Sequence, residues 1–328
     1  MKIKINQLLF WGTAICSIIF YTACIDTARV PYISNITTSN LDTVLVFQSG
    51  FEGFTHMSPR GISDDDIVGY DTNLENSNWN NLKVNDISTV YINYSGGDTT
   101  KRYARIVEDP VNPGNHVLNY CLKDYWMTTD NQEKGRVQIE FYDIKNGGYK
   151  EFSQSIKLYI SPDFNSLKNY PDSIGWLTLA EFWNNEWWGN KPNGFRISLN
   201  VHKDNGIGKN FFFSIAAQDS GFVNIWEKVN RDIAIPVDKW FTIDYYFKEG
   251  NKTTGRFYMA ITADGAPKQI IFDIHNFTYA TKDPAPDGLT GYNPMKLYTS
   301  KQILSYMKSI GKPINIYWDD FKLKTINR

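Results

Sequence analysis

Three stretches of this 328-residue chain alternate so that one side-chain set is apolar and the other can do chemistry. Val137, Ile139 and Phe141 interleave with Arg136, Gln138 and Glu140. Phe195, Ile197, Leu199 and Val201 interleave with Arg196, Ser198, Asn200 and His202, and Phe257, Met259 and Ile261 with Arg256, Tyr258 and Thr262. A solvated strand face ordinarily carries Lys, Glu, Thr and Ser. These faces carry Arg, Gln, Glu, Asn, His and Tyr, which bond carboxylates and hydroxyls in defined directions. The three faces are expected to line one polar ligand groove.

The period of two also names the elements that hold these residues. Together with 176–183 and 240–248, the alternating stretches read as half-buried strands. Long loops are expected near 57–88, 183–194 and 276–296, where Asn, Asp, Gly and Pro crowd. One short helix is predicted at 301–310 from the spacing of Ile303, Leu304, Met307 and Ile310. Many strands and little helix predict an all-β fold, a β-sandwich or jelly roll of two antiparallel sheets with a concave polar groove. Residues 43–328 are expected to form a single domain.

Composition narrows the ligand. The 34 basic and 35 acidic residues leave no basic footprint of the kind nucleic acid requires. The aromatic share is 15%, with 20 Tyr, 20 Phe and 10 Trp; rings with a polar edge suit sugars, although strands favour aromatics in any case. Lys2 and Lys4 precede an apolar run from Leu8 to Phe20, and small residues lead to Cys24, the pattern of an exported leader at 1–23. Thr22-Ala23-Cys24 resembles a bacterial lipobox, with Tyr21 where Leu is usual, which implies lipidation at Cys24 and a tether over 24–42. The expectation is an exported lipoprotein held at the outer membrane, facing the cell surface or the periplasm. With Cys16 in the leader and Cys24 lipidated, Cys121 alone remains, which excludes an intramolecular disulfide or a cysteine metal cluster.

Several short motifs resemble the concanavalin A-like lectin/glucanase superfamily: Phe51-Glu52 after the first strand, Asp109-Pro110 through Val117-Leu118, and the closing Tyr317-Trp318-Asp319-Asp320-Phe321. Tyr245 through Gly250 resembles the Tyr-Phe-Lys-x-Gly strand of jelly-roll alginate lyases, and Arg136 through Glu140 stands in the place of their Arg-rich strand. Leu179 through Trp183 lies where those enzymes carry Gln-x-His and has neither residue. The arrangement is also similar to heparin-lyase-like and glucuronan-lyase-like jelly rolls of Bacteroidetes. The resemblance implies β-elimination on an acidic, uronic-acid-containing polysaccharide, with no cofactor for catalysis. On that reading Arg196 and Arg136 neutralise the uronate carboxylate, aided by Gln138 and Asn200. His202 is the candidate base and Tyr258 the candidate acid, with Tyr246 as its substitute and Lys248 as a groove cation. Glu140 and Trp183 complete the substrate-binding set. His275 is a weaker second base, and His116 belongs to a turn.

Two other readings compete. A glycoside hydrolase needs two carboxyl groups across the scissile bond, for which Glu140, Glu181 (alternating with Leu179 and Trp183) and Glu186 are available. The Glu-x-Asp-x-x-Glu strand of laminarinase-like hydrolases is missing from the chain. A non-catalytic glycan-binding lipoprotein needs only an aromatic platform, for which Trp183, Trp187 and Trp188 serve. Separately, Glu52 and either Asp320 or Asp319 are expected to meet where the first and last strands pair and to hold a structural Ca²⁺.

Overall fold

The computed structural model describes residues 43–129, 131–184, 189 and 192–326. The expected leader and tether, Cys24, Glu186, Trp187 and Trp188 lie outside the described residues. In chain order the first elements are β1 (Thr43–Ser49), β2 (His56–Pro59), β3 (Asp64–Val68), α1 (Trp79–Asn85), β4 (Ile87–Asn93), β5 (Arg102–Glu108), β6 (His116–Leu122) and β7 (Met127–Thr129). Next come β8 (Gln132–Ile144), β9 (Glu151–Ile160), a 3-10 helix (Pro162–Asn169), β10 (Leu177–Asn184), β11 (Phe195–His202), β12 (Phe212–Asp219) and β13 (Asn224–Ala234). The last are β14 (Trp240–Lys248), β15 (Arg256–Ala263), β16 (Gln269–His275), β17 (Gly291–Asn293), β18 (Lys296–Ser300), α2 (Lys301–Ser309) and β19 (Ile314–Ile326).

Two antiparallel sheets result. One runs β16-β15-β14-β9-β19-β6-β5, with β1 paired to β19. The other runs β13-β12-β11-β10-β17-β8-β4-β3-β2, with β18 bridging β10 and β8, and β7 on β8. The predicted inward sets of β8, β11 and β15 are all fully buried. They meet in an aromatic core: Phe182 of β10 stacks on Tyr292 at 5.8 Å and reaches Tyr245 and Phe257 of the facing sheet at 5.4 Å each. No such contact is open to a residue of the opposite parity, because successive strand side chains leave on opposite faces.

The expected loop at 57–88 is instead β2, β3 and α1. Asp64, Asp65 and Asp66 mask the strand β3 by removing the hydrophobic alternation. Helix α1 starts where the Asn78 side chain accepts the Asn80 and Asn81 N–H groups, and it buries Trp79 and Leu82. Likewise β17 and β18 begin within or at the end of the expected loop at 276–296. Helix α2 forms as predicted with Ile303, Leu304 and Met307 buried, but Ile310 is its C-cap and is exposed.

The first and last strands do pair, with Ser49 opposite Phe321. The chain leaving β1 is held by the buried Asp71, whose carboxylate accepts from Gly50 N–H (2.5 Å), Glu52 N–H (3.1 Å), Thr55 Oγ1 (2.5 Å) and Ser49 Oγ (3.2 Å). Removing that acceptor strands donors that cannot reach water. Asp71→Ala is therefore expected to cost about 3 kcal/mol or more, read from the denaturant midpoint at unchanged m-value. Asp319 on β19 provides a pH handle. Burial, reinforced by neighbouring Asp320, pushes its carboxyl up to about 7 from an ordinary 3.8, against its bond from Asn115. The folded state holds this proton more tightly than the unfolded chain, so stability falls as pH rises between about 4 and 7 and is flat above. Asp319→Asn is expected to shrink the difference in melting temperature between pH 5 and pH 8; an unchanged difference would refute this assignment.

Candidate functional site

The second sheet turns a polar face outward. From β8 come Arg136, Gln138, Glu140 and Tyr142, from β17 and β18 Asn293, Lys296 and Tyr298, from β10 Thr178, Glu181 and Trp183, and from β11 Arg196, Ser198 and Asn200. The register sets Tyr298 beside Arg136, Lys296 beside Gln138, Asn293 beside Glu181, and Trp183 beside Arg196. Leu179 does not share this face. A bulge between Thr178 and Ala180 breaks the alternation of β10, placing Leu179 in the core and leaving both Thr178 and Glu181 on the groove side.

Charged groups form the floor. Lys296, 2% exposed, gives its Nζ to Glu181 Oε2 at 2.5 Å and sits 3.4 Å from Asn293 Oδ1. The other oxygen of Glu181 takes Arg196 Nη1 at 2.9 Å, and Arg196 Nη2 also bonds Gln218. Glu140, fully buried, accepts from Asn293 Nδ2 at 2.6 Å and from Gln138 Nε2. Burial acts to raise Glu181, but Lys296 and Arg196 outweigh it and hold the carboxyl below its usual range. Burial lowers Lys296 to about 8, with Arg136 repelling its proton and Glu181 retaining it.

Around the Tyr298 ring three cations gather, with Lys296 Nζ 5.0 Å, Lys134 Nζ 5.6 Å and Arg136 Cζ 6.0 Å from its centroid. Trp176 meets the same ring edge-on at 4.9 Å. Arg136 bonds only neutral oxygens, Asn93 Oδ1 and Ser95 Oγ, and its Nε has no partner among the described residues. Gln138 Oε1 and Trp183 Nε1 are also buried and unpartnered. At the other end Trp183 meets Tyr142 edge-on at 4.9 Å. They touch across Gly291, where a Cβ would come within 3.0 Å of the Tyr142 ring. Burial, then the adjacent Glu140, keeps the Tyr142 phenol protonated far above its ordinary range.

The structure thus brings together Arg136, Gln138, Glu140, Trp183, Arg196 and Asn200, as expected. It separates the others. His202 ends β11, roughly 20 Å along the strand from Arg196. Its Nε2 lies 2.9 Å from Asp204 and 3.2 Å from Arg231. Tyr258, Tyr246 and Lys248 belong to the other sheet, where Phe257, Met259 and Phe247 point into the core. Their side chains therefore leave on its outer face, with Tyr246 on Glu151 at 2.5 Å and Lys248 near Glu151 at 3.6 Å. The aromatic core lies between them and Arg196, and His202 lies too far along β11, so neither Tyr258 nor His202 acts with Arg196 on one sugar; equal alternation in two strands does not reveal that the strands lie in different sheets. His275 is on β16 of that same sheet, 3.4 Å from Asp273. Sequence reading missed Lys134, Tyr142, Asn293, Lys296 and Tyr298. The alternation of Lys296 and Tyr298 with Leu297 was present, but only over five residues.

Glu52 and Asp320 each meet a basic side chain of the protein. Glu52 Oε2 is 3.0 Å from His116 Nδ1, and Asp320 pairs with Lys157 at 2.8 Å. Among the described residues no group of three His, Cys, Asp or Glu side chains is arranged to hold a metal. Nor is any helix among them long and apolar enough to cross a membrane.

No family model matches the sequence, and no curated protein matches it either. Among solved structures the fold is similar to that of a marine alginate lyase from Aplysia kurodai, with a TM-score of 0.50 and 12% identity, covering 86% of this chain and 99% of that one. Other matches include an endo-β-1,4-glucuronan lyase from the fungus Trichoderma reesei (TM-score 0.43, 15% identity, 74% of this chain and 92% of that one). A non-specific endo-β-1,3(4)-glucanase also matches (TM-score 0.44, 14% identity, 87% and 92%). The chain is a jelly roll of two antiparallel sheets, similar in fold to that alginate lyase.

Because Arg136 has no carboxylate partner among the described residues, Arg136→Ala is expected to weaken binding of a carboxylate-bearing polymer at this face, read by affinity electrophoresis, by about tenfold, a charge-assisted bond's worth. His202→Ala is expected to change it by less than about twofold.

Proposed function

We propose that the groove binds an acidic, uronic-acid-containing polysaccharide and cleaves it by β-elimination. The observation that carries this reading is Arg136: a half-buried cation on the groove face, bonded only to neutral oxygens, beside a ring that two further cations approach. Leaving such charge in a low-dielectric site is costly unless an anion completes it. A uronate carboxylate seated on Arg136 puts its sugar over Tyr298 and next to Lys296. The similarity of fold to an alginate lyase agrees with this class of substrate.

The chemistry then uses one compact set of groups. Arg136 withdraws charge from the carboxylate and makes the C5 proton acidic. Lys296 in its neutral form takes that proton. The C5–H electrons form the C4–C5 double bond as the C4–O glycosidic bond breaks, and Tyr298 protonates the departing oxygen. Lys296 replaces His202 in the role of base, because it alone of the two sits beside Arg136. Glu181, held ionised by Lys296 and Arg196, is not the protonated acid that a hydrolytic carboxyl pair requires. Export and anchoring through Cys24 complete the proposal and place the groove where extracellular polymers are met.

The test follows absorbance near 232 nm, where the new unsaturated uronate absorbs, with alginate, glucuronan, ulvan, heparin-type and chondroitin-type chains. The expected result is a rise on at least one polymer, reduced at least about a hundredfold by Lys296→Ala and by Tyr298→Phe. The rate is expected to climb with pH to a plateau above about 8, as Lys296 loses its proton. Polymer retardation with no rise on any member of the panel would replace the lyase by a glycan-binding lipoprotein. New reducing ends without absorbance would point to hydrolysis instead.

A further inference from the structure

Glu181 is buried at 5% exposure on the groove floor, yet it occupies neither the anion station nor the core. Its two oxygens are divided between cations on different strands, Lys296 of β18 at 2.5 Å and Arg196 of β11 at 2.9 Å. We propose that Glu181 is the positioning residue of the elimination centre, a carboxylate whose charge is shared between Arg196 and Lys296 and which aims the Lys296 amine along the floor toward the sugar held on Arg136. This rests on the lyase reading above for its catalytic consequence, but the electrostatic arrangement stands without it.

The geometry explains why a shared carboxylate is needed. The groups facing Lys296 are Glu181 from β10, Gln138, Glu140 and Arg136 from β8, Asn293 from β17 and Tyr298 from its own strand. Glu140 is taken up by Asn293 and Gln138, so Glu181 supplies the close negative charge. If Glu181 faced Lys296 alone, the pair would be a tight buried ion pair and the amine would keep its proton. If Glu181 were absent, Arg136 and burial would drive the proton off, and nothing would hold the four-carbon side chain in place. Arg196, by drawing on the second oxygen, sets the balance between these extremes. In this role Arg196 acts through Glu181 and does not need to touch the substrate carboxylate.

Two substitutions should move the centre in opposite directions. Glu181→Gln removes the retaining charge, so the rising limb of the pH–rate profile is expected to shift about one pH unit or more toward acid, a tenfold change in proton concentration. Arg196→Gln leaves the whole carboxylate to Lys296, and the limb should shift toward alkali. Glu181→Asp keeps the charge and should return the limb toward the wild-type position even if the rate remains low. The same shifts are expected without substrate in the ¹⁵N resonance of the Lys296 Nζ, assigned by its loss in Lys296→Arg. Variants that lower the rate while limb and resonance stay within about 0.2 pH unit would overturn the proposal, since a merely structural role has that signature. Opposite shifts of the resonance in a protein that cleaves no polymer would uphold the positioning of Lys296 and remove the lyase reading alone.

Discussion

The groove depends on one buried bridge, in which Lys296, Glu181 and Arg196 tie β18, β10 and β11 together through a single carboxylate. Lys296 and Glu181 are held at a few per cent exposure and tolerate no loss of partner, because each would then face a low-dielectric floor uncompensated. A slip of one residue in any of the three strands would turn Glu181, Lys296 or Arg196 into the core and bring an apolar neighbour out. The bridge therefore fixes register as well as charge. Its ionic members need not stabilise the fold on balance; what they impose is a unique alignment of the residues that face the ligand.

Beneath the floor, the aromatic core performs the complementary task. Phe182, adjacent in sequence to Glu181, points the other way and packs on Tyr292, Tyr245 and Phe257. The same strand thus joins a polar network above to an apolar one below, and the β10 bulge is where the two demands are reconciled. By adding one residue, the bulge keeps Leu179 inside while Thr178 and Glu181 both remain on the groove. Gly291 makes a similar concession on β17, giving up a side chain so that Tyr142 and Trp183 can meet over it.

Away from the groove, carboxylates gather at the corner between β1 and β19. Asp71 collects two backbone N–H groups and two hydroxyls, Glu52 meets His116, and Asp320 meets Lys157. Among these carboxylates Asp319 is the least neutralised: it accepts from Asn115 and from the Asp320 N–H, and burial with Asp320 beside it still raises its carboxyl. Their abundance in the sequence suggested a metal, while their partners come from segments far apart in the chain, such as residues 49–55 and 71, or 115 and 319.

The sequence by itself determined the all-β class, the inward sets of β8, β11 and β15, and the helix after residue 300. Those features follow from local periodicity and from burial of apolar side chains, which a single strand displays without its neighbours. Membership of the polar face was legible for Arg136, Gln138, Glu140, Arg196 and Asn200 for the same reason. Tertiary structure alone decided which polar faces share a groove. It sent Tyr258, Tyr246 and Lys248 to the outer face of the opposite sheet and His202 to the end of β11, and it drew Lys296 and Tyr298 from a five-residue strand to the centre. Alternation states that a side chain points away from the core, but each of two sheets has such a face, and only strand order tells them apart.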